Sequence, residues 1–325
     1  MKAVLCTKLG EPESLSVAEI DDLTPAKGQV RIAIEACGCN FPDTLIIAGK
    51  YQFKPQLPFS PGGEVAGIID AVGEGVDKNR IGEPVIAIAP YGGFAEQILI
   101  EPDKLLPRPT GMDSHTAAGF AMTYGTSMHA LKQRAQLKAG ETLLVLGAGG
   151  GVGLAAVELG KLMGARVIAA ASGDEKLQAA KLAGADELIN YSTTPLRDAL
   201  KTLTKSQGVD VVYDPIGGDL FEQALRSTAW RGRVLVVGFA TGSIPNIATN
   251  LMLLKGCSVV GVFWGAFRGR ELALDNENFA QMFAWYEQGK LKPHIGKTYP
   301  LSQAAEALND LKYRRAIGKI ILTTS

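Results

Sequence analysis

Two patterns of hydrophobic and polar residues divide the chain. In the first hundred residues, short apolar runs alternate with turns that contain glycine or proline, as in QVRIAIEACG, EVAGIIDAVG and EPVIAIA. Runs of this length and spacing predict an antiparallel sheet or a partial barrel. From about Thr116, longer helical patterns alternate with apolar strands. That alternation is typical of βαβ units and predicts a parallel sheet.

The second region has the pattern of a doubly wound fold. Its predicted strands are TLLVLG, RVIAAA, ELIN, VDVVYD, GRVLVVG and CSVVGVF. Four helical patterns lie between them, and a dinucleotide-binding fold requires this combination of strands and crossovers. Two more helical patterns follow Phe267, and a last apolar run, GKIILTT, is expected to return to the first sheet. We therefore predict a β-rich domain, 1–118 and 268–325, and a Rossmann domain, 119–267.

A glycine-rich turn joins the first strand of the Rossmann region to its helix. Within LLVLGAGGGVGLAAVELG, the residues Ala148, Gly150 and Gly153 match the pattern A-x-G-x-x-G. Glycine permits a sharp turn and a close approach of the backbone to a pyrophosphate, and a helix start offers free N–H groups. With Gly151 and Val152 opening the helix, the turn predicts a dinucleotide site; a tight structural turn without ligand is the alternative reading.

The end of the second strand indicates which dinucleotide binds. An acidic residue there would bind the ribose hydroxyl of NADH and repel the phosphate of NADPH. This chain has Ser172 at that place, with Lys176 one turn into the next helix and Tyr191 after the third strand. Asp174 lies nearby and opposes a phosphate. A hydroxyl, an ammonium group and a phenol together predict NADPH as the cofactor.

Composition narrows the partners and the compartment. Lysine plus arginine and aspartate plus glutamate number 33 each, so no strong basic field favours nucleic acid or a membrane surface. The longest apolar runs fall short of the roughly 18–20 residues of a membrane span. Four cysteines without framework spacing indicate reduced thiols. We expect a cytoplasmic protein that acts on a small molecule.

Several segments together resemble the medium-chain dehydrogenase/reductase superfamily, and within it the zinc-free quinone oxidoreductase branch. They are GCNFPDTLIIAGKY, LPFSPGGEVAGII, TYGTSMHAL, the glycine-rich turn, VVYDPIGG, GVFWGAF and IGKIILT. The resemblance implies a GroES-like β-rich catalytic domain beside the Rossmann domain. It also implies a homodimer joined at the last Rossmann strand, whose open edge would otherwise invite pairing.

The resemblance also indicates whether the protein binds zinc. Zinc-dependent members carry a ligand cysteine where this chain has Asn40, and a histidine where it has Gly63. The segment from Ile88 to Thr110 lacks the cysteines of their structural-zinc lobe. Cys37 and Cys39 are too closely spaced, without a paired histidine, to replace those ligands. We predict no metal.

The same resemblance names candidate site residues. It places Asn40 and Tyr51 beside the nicotinamide and the substrate as catalytic residues, with Tyr51 the better proton donor. Thr126 resembles a threonine that contacts the nicotinamide from a helix start. Phe239 and Phe263 follow the fifth and sixth strands, and ligands of doubly wound sheets bind at strand carboxyl ends. For each, an ordinary structural role is the alternative.

These residues predict an oxidoreductase. Without a Lewis acid to activate an alcohol, hydride transfer from NADPH to an electron-poor acceptor is favoured, such as a quinone or an α,β-unsaturated carbonyl. Reduction of short enoyl-CoA thioesters is the alternative reaction. A non-catalytic NADPH-binding structural or RNA-associated protein is the alternative of another class, and the neutral net charge disfavours an RNA role.

Overall fold

The structure of the protein is a computed structural model, and it describes residues 1–324. These residues form two compact units. The first comprises Met1–Met122 and the chain from His294 onward, and the second comprises Thr123–Pro293. The strands are β1 (Lys2–Leu5), β2 (Ser16–Glu19), β3 (Val30–Cys39), β4 (Glu64–Val72), β5 (Pro84–Ile88), β6 (Gln97–Ile100), β7 (Leu105–Pro107), β8 (Thr142–Leu146), β9 (Arg166–Ala171), β10 (Glu187–Asn190), β11 (Val209–Asp214), β12 (Thr228–Val236), β13 (Ser258–Gly261), β14 (Ile295–Pro300) and β15 (Lys319–Thr323).

The helices follow the same chain order. They are α1 (Phe41–Ile47), α2 (Ser114–Ala118), α3 (Ala121–Met128), α4 (Gly151–Leu162), α5 (Asp174–Leu182), α6 (Leu196–Leu203), α7 (Asp219–Arg226), α8 (Thr249–Lys255), α9 (Trp264–Arg270), α10 (Leu272–Glu287) and α11 (Ala304–Lys312). A π-helical turn, His129–Arg134, continues α3. No helix within residues 1–324 has the length and apolar character needed to cross a bilayer.

The first unit is built on a mixed sheet of order β14-β15-β3-β4-β5-β7, with β6 paired to β3. All its strand pairs are antiparallel except β14 with β15. Alternate side chains of β3, such as Val30, Ile32 and Ile34, are buried in the core of the unit, as the period of two in a half-buried strand requires. The predicted return of the last strand is confirmed, because β15 pairs with β3 at Ile320–Cys39.

The second unit is a parallel sheet of order β10-β9-β8-β11-β12-β13. All six predicted strands are present, and the α/β fold class is confirmed. The chain leaves β8 for β9 on one side, and later places β11 on the other side of β8. The carboxyl end of β8 is therefore the point at which the strand order reverses, where doubly wound sheets bind their ligands.

The boundary between the units differs from the prediction of a Rossmann domain at 119–267. Helix α10 and the last residues of α9, which the prediction assigned to the first domain, belong to the second unit. A Cβ atom on Gly125 would lie 2.7 Å from the Trp264 ring, so this ring packs directly on α3. The buried Asp275 accepts hydrogen bonds from Trp264 Nε1 at 2.8 Å and Arg268 Nη1 at 2.6 Å. The helical pattern alone did not indicate which sheet these helices cover.

Candidate active site

The turn after β8 has the geometry of a dinucleotide-binding turn. Gly147 has a φ of +59°, a left-handed conformation that favours glycine. A Cβ atom on Gly153 would lie 2.3 Å from the carbonyl oxygen of Gly147, so α4 packs tightly on the turn. Gly150 precedes α4, and the nearest atom to a Cβ placed there lies 3.6 Å away. Gly153 thus allows close packing of α4 on the turn, and Gly150 leaves open space beside the start of α4.

The remaining predicted residues of the turn frame that space. Ala148 is fully buried, and its N–H donates to Ala170 O at 3.1 Å, which fixes the turn to β9. Gly151 and Val152 are the first two residues of α4. Backbone N–H groups of a first helical turn have no partner within the helix, and the helix dipole makes this end attractive to an anion. The turn can therefore hold a pyrophosphate.

The structure brings together the residues predicted to select the cofactor. Ser172 is exposed at the carboxyl end of β9, and Lys176 lies in the first turn of α5. A Cβ on Gly149 would approach Lys176 Cβ to 2.4 Å, so Lys176 packs against the glycine turn. Tyr191 donates its N–H to Ala171 O at 3.1 Å, beside Ser172. Ser172 and Tyr191 therefore start from adjacent backbone positions, and Lys176 lies in the helix that follows Ser172.

The other predicted cofactor residues lie in the second unit in different settings. Phe239 follows β12, and its ring is 3.0 Å from a Cβ placed on Gly217. Phe263 immediately precedes α9 and is 57% exposed. Thr126 is partly exposed and lies in the second half of α3, not at a helix start as predicted. The start of α3 is set five residues earlier, at Ala121, because α2 ends at a break around Gly119.

Asn40, in the first unit, lies in a buried polar network. Its Nδ2 donates to Gly38 O at 3.1 Å and to Glu64 Oε2 at 3.1 Å. Its Oδ1 accepts a hydrogen bond from Lys319 Nζ at 2.8 Å. Both N–H groups of the amide are therefore used within the protein. The side chain of Asn40 therefore has no N–H group left for a ligand, and its predicted place beside the nicotinamide and the substrate stays a prediction.

Tyr51 is half-buried and packs against the core of the first unit. Its hydroxyl has no hydrogen-bond partner among residues 1–324, so it is available to a ligand. Burial raises the pKa of this phenol above 10, and the negative charge of Asp43 raises it further. Asp43 Oδ2 accepts the N–H of Asn40 at 2.7 Å, and burial raises its pKa to about 7. Tyr51 is thus a neutral hydrogen-bond donor at physiological pH.

The residues at the positions of the zinc ligands do not fit zinc. Burial raises the pKa of the Cys37 and Cys39 thiols well above 9, so both are neutral thiols in the protein core. A side chain at Gly63 would place its Cβ 2.7 Å from the carbonyl oxygen of Ala89. The Lys319 ammonium group lies among the oxygens that a metal would use. Residues 1–324 contain no cluster of three or more histidine, cysteine or carboxylate side chains suited to a metal ion.

Sequence reasoning did not identify Glu64 and Lys319 as parts of this network. Both are charged residues at the start of strongly apolar strands, β4 and β15. A lone charge beside a buried strand is a signal for a buried ion pair, since an unpaired charge is rarely buried. The pairing itself joins residues 255 positions apart, so only the topology of the sheet reveals it.

The fold and the site define a two-unit dehydrogenase. Residues 26–110 match the family described as "Alcohol dehydrogenase GroES-like domain", and residues 151–287 match "Zinc-binding dehydrogenase". Quinone oxidoreductase-like protein 2 of Rattus norvegicus is 36% identical to this chain, and the match covers 99% of this chain and 92% of that protein. Human quinone oxidoreductase is 34% identical over 99% of this chain and 97% of its own.

A solved structure gives the same result. The quinone oxidoreductase of Escherichia coli, crystallised in complex with NADPH, superposes with a TM-score of 0.92 at 29% identity, covering 99% of this chain and 100% of that one. The chain belongs to the quinone oxidoreductase branch of the medium-chain dehydrogenase/reductase family, an oxidoreductase family.

Proposed function

We propose that this protein is an NADPH-dependent reductase that transfers hydride to quinones or related α,β-unsaturated carbonyls without zinc. The observation that carries the cofactor assignment is the packing of Lys176 on the glycine turn, beside Ser172 and Tyr191. An ammonium group at this position forms a charge-assisted hydrogen bond with a ribose phosphate. The NADPH complex of the Escherichia coli relative supports the same assignment.

The reaction divides between the cofactor and the protein. NADPH supplies the hydride, and the start of α4 holds its pyrophosphate through Gly150, Gly151 and Val152. Thr126, Phe239 and Phe263 are proposed to contact the nicotinamide end. Hydride addition to a quinone leaves an oxyanion, and the Tyr51 hydroxyl is proposed to donate a hydrogen bond and then its proton to that oxygen.

A panel of acceptors tests this function. NADPH oxidation is measured with 1,2- and 1,4-quinones, a simple enone and a short enoyl-CoA. The proposal expects quinones to give the highest kcat/KM. Preference for the enoyl-CoA would transfer the function to thioester reduction and leave the cofactor assignment unchanged. Tight NADPH binding without any turnover would support the non-catalytic alternative and contradict the proposal.

The assembly and the setting form a second part of the proposal. We propose that the protein is a cytoplasmic homodimer joined along β13, the edge strand of the parallel sheet. Trp230, Leu253 and Leu254 are 69%, 78% and 70% exposed. A Cβ on Gly256, between α8 and β13, would lie 2.5 Å from the Trp230 ring, so this ring packs at the end of α8. Exposed apolar side chains beside an open strand edge are typical of an interface.

A further inference from the structure

In the buried polar network around Lys319, every N–H group of the ammonium has a hydrogen-bond acceptor within the protein. The Lys319 ammonium group donates to Cys39 O at 3.1 Å, Asn40 Oδ1 at 2.8 Å and Glu64 Oε2 at 2.9 Å. The Glu64 carboxylate also accepts the N–H of Met122 at 2.8 Å on its other oxygen. All three N–H groups of the ammonium are therefore used, and the three side chains are at least nine-tenths buried.

The network fixes the direction of one amide. The Asn40 carbonyl oxygen faces the cation, and its NH2 group faces the carboxylate of Glu64. Reversing the amide would set donor against donor and acceptor against acceptor. Buried polar groups without partners cost about 1–3 kcal/mol each, so the reversed orientation is strongly disfavoured. Lys319 and Glu64 together therefore select one orientation of Asn40.

The space for the ammonium group depends on a missing side chain. A Cβ on Gly38 would lie 2.8 Å from Glu64 Oε2 and 3.1 Å from Lys319 Nζ. It would also lie 2.1 Å from the backbone oxygen of Ala118, which does not yield easily. The backbone of β3 is thus shaped to let the cation reach the site from β15.

A continuous series of bonded groups connects this network to Tyr51. Asn40 is the residue that precedes α1, and its backbone N–H donates to Asp43 in the first turn of that helix. At the other end, the N–H of Lys50 donates to Leu45 O at 2.8 Å, so the backbone just before Tyr51 is fixed to α1. A shift at Asn40 therefore moves α1 and the attachment of the phenol.

We infer that the Lys319 ammonium group takes the place of a metal ion at this site. It holds Asn40 and α1, and hence Tyr51, in the position from which Tyr51 can donate its proton. Lys319 is a positioning residue in this account, because its three donors are used inside the protein and none remains for the substrate. The inference rests on the proposed role of Tyr51 as proton donor. It is distinct from a purely stabilising ion pair, which would affect folding and leave the reacting group unchanged.

A double-mutant cycle between Lys319 and Tyr51 separates these two roles. Lys319→Met is expected to lower kcat with a quinone by about 10- to 100-fold, the typical cost of misplacing a reacting group. In a Tyr51→Phe background, the same substitution is expected to lower kcat by less than about threefold, since coupled residues give non-additive effects. Equal factors in both backgrounds, or no effect in either, would overturn the inference.

Two further variants distinguish a loss of activity caused by unfolding from one caused by displacement of Tyr51. Lys319→Met alone leaves Glu64 buried without its cation, so the pair Lys319→Met with Glu64→Gln removes both charges together. Lys297→Met is the matched control in the same unit. Lys297 is bound to Asp310 at 2.7 Å, but its side chain is 54% exposed. We expect it to leave kcat unchanged, and all variants are compared at a temperature at which they are folded.

A readout without turnover keeps the inference separate from the proposed function. A fluorotyrosine incorporated at position 51 reports its surroundings by 19F NMR. Lys319→Met is expected to shift or broaden this resonance, and Lys297→Met to leave it unchanged. If the wild-type protein reduces no quinone, the proposed function fails, yet the resonance still decides whether Lys319 positions Tyr51. An unchanged resonance in a folded Lys319→Met protein would overturn the inference.

Discussion

Tyr51 is the side chain that defines the proposed chemistry at the residue scale. Its pKa is raised first by burial and then by the charge of Asp43, so the phenol keeps its proton to above pH 10. Replacing it by phenylalanine is expected to lower kcat with a quinone by about 100-fold, the usual contribution of a general acid. The NADPH dissociation constant should stay within about twofold, because the change removes an interaction made in the transition state.

The control for this change is Tyr313→Phe, at a residue that is 56% exposed on the same unit. Steady-state kinetics and cofactor fluorescence measure the two constants. A kcat that survives in Tyr51→Phe, or an activity of the wild-type protein that declines well below about pH 10 with deprotonation of a tyrosine, would contradict the assigned donor.

Asp43 makes stability depend on pH in a direction opposite to that of a paired carboxylate. Burial raises its folded-state pKa to about 7, above the value of 3.8 expected in the unfolded chain. The folded state therefore binds the proton more tightly, and this contribution to stability is lost as pH rises from about 4 to about 7. Asp43→Asn should make the free energy of unfolding depend less on pH in this interval, as urea denaturation at several pH values can measure. Identical pH dependences for both proteins would contradict this prediction.

At the scale of elements, the turn between β8 and α4 contains glycines with two different functions. Gly153→Ala forces a Cβ to within 2.3 Å of the Gly147 carbonyl oxygen, and such overpacking costs about 1–3 kcal/mol of stability. Gly150→Ala meets nothing nearer than 3.6 Å at a φ of −85°, so the fold should tolerate it. Its methyl group enters the space proposed for the pyrophosphate, so NADPH affinity should fall by about tenfold or more.

Thermal unfolding without cofactor and NADPH titration distinguish the two glycines. We expect Gly153→Ala to lower the melting temperature and Gly150→Ala to leave it nearly unchanged while weakening cofactor binding. Gly150→Ala with undiminished NADPH affinity would show that the open space beside α4 does not take the pyrophosphate.

The pattern of apolar residues predicts the helices and strands better than it predicts which of them pack against each other. The strands from β8 to β13 and the return of β15 were predictable, because period and length of the apolar runs determine them. The assignment of α10 was not, since an amphipathic helix does not encode which surface it covers. The same holds for the site: Asn40 was identified, but its partner Lys319 lies 279 residues away, and only sheet pairing brings them together.

On the scale of the whole molecule, the proposed dimer depends on the apolar surface around α8 and β13. Leu253→Glu with Leu254→Glu places two charges on that surface and is expected to convert a dimer to a monomer in sedimentation velocity. Leu182→Glu is the matched control, because Leu182 is as exposed, at 79%, but ends α5 beside the opposite half of the sheet. A wild-type monomer, or dissociation by the control as well, would contradict an interface at β13.

We propose that NADPH delivers hydride to a quinone in a site that uses the protein's own polar groups instead of zinc. The most direct test of this proposal is to measure kcat/KM for NADPH and for NADH with one 1,4-quinone, before and after treatment with a zinc chelator. We expect a preference for NADPH of at least about tenfold, the value of one charge-assisted contact, and no effect of the chelator. A preference for NADH, or an activity that the chelator abolishes and added zinc restores, would contradict it.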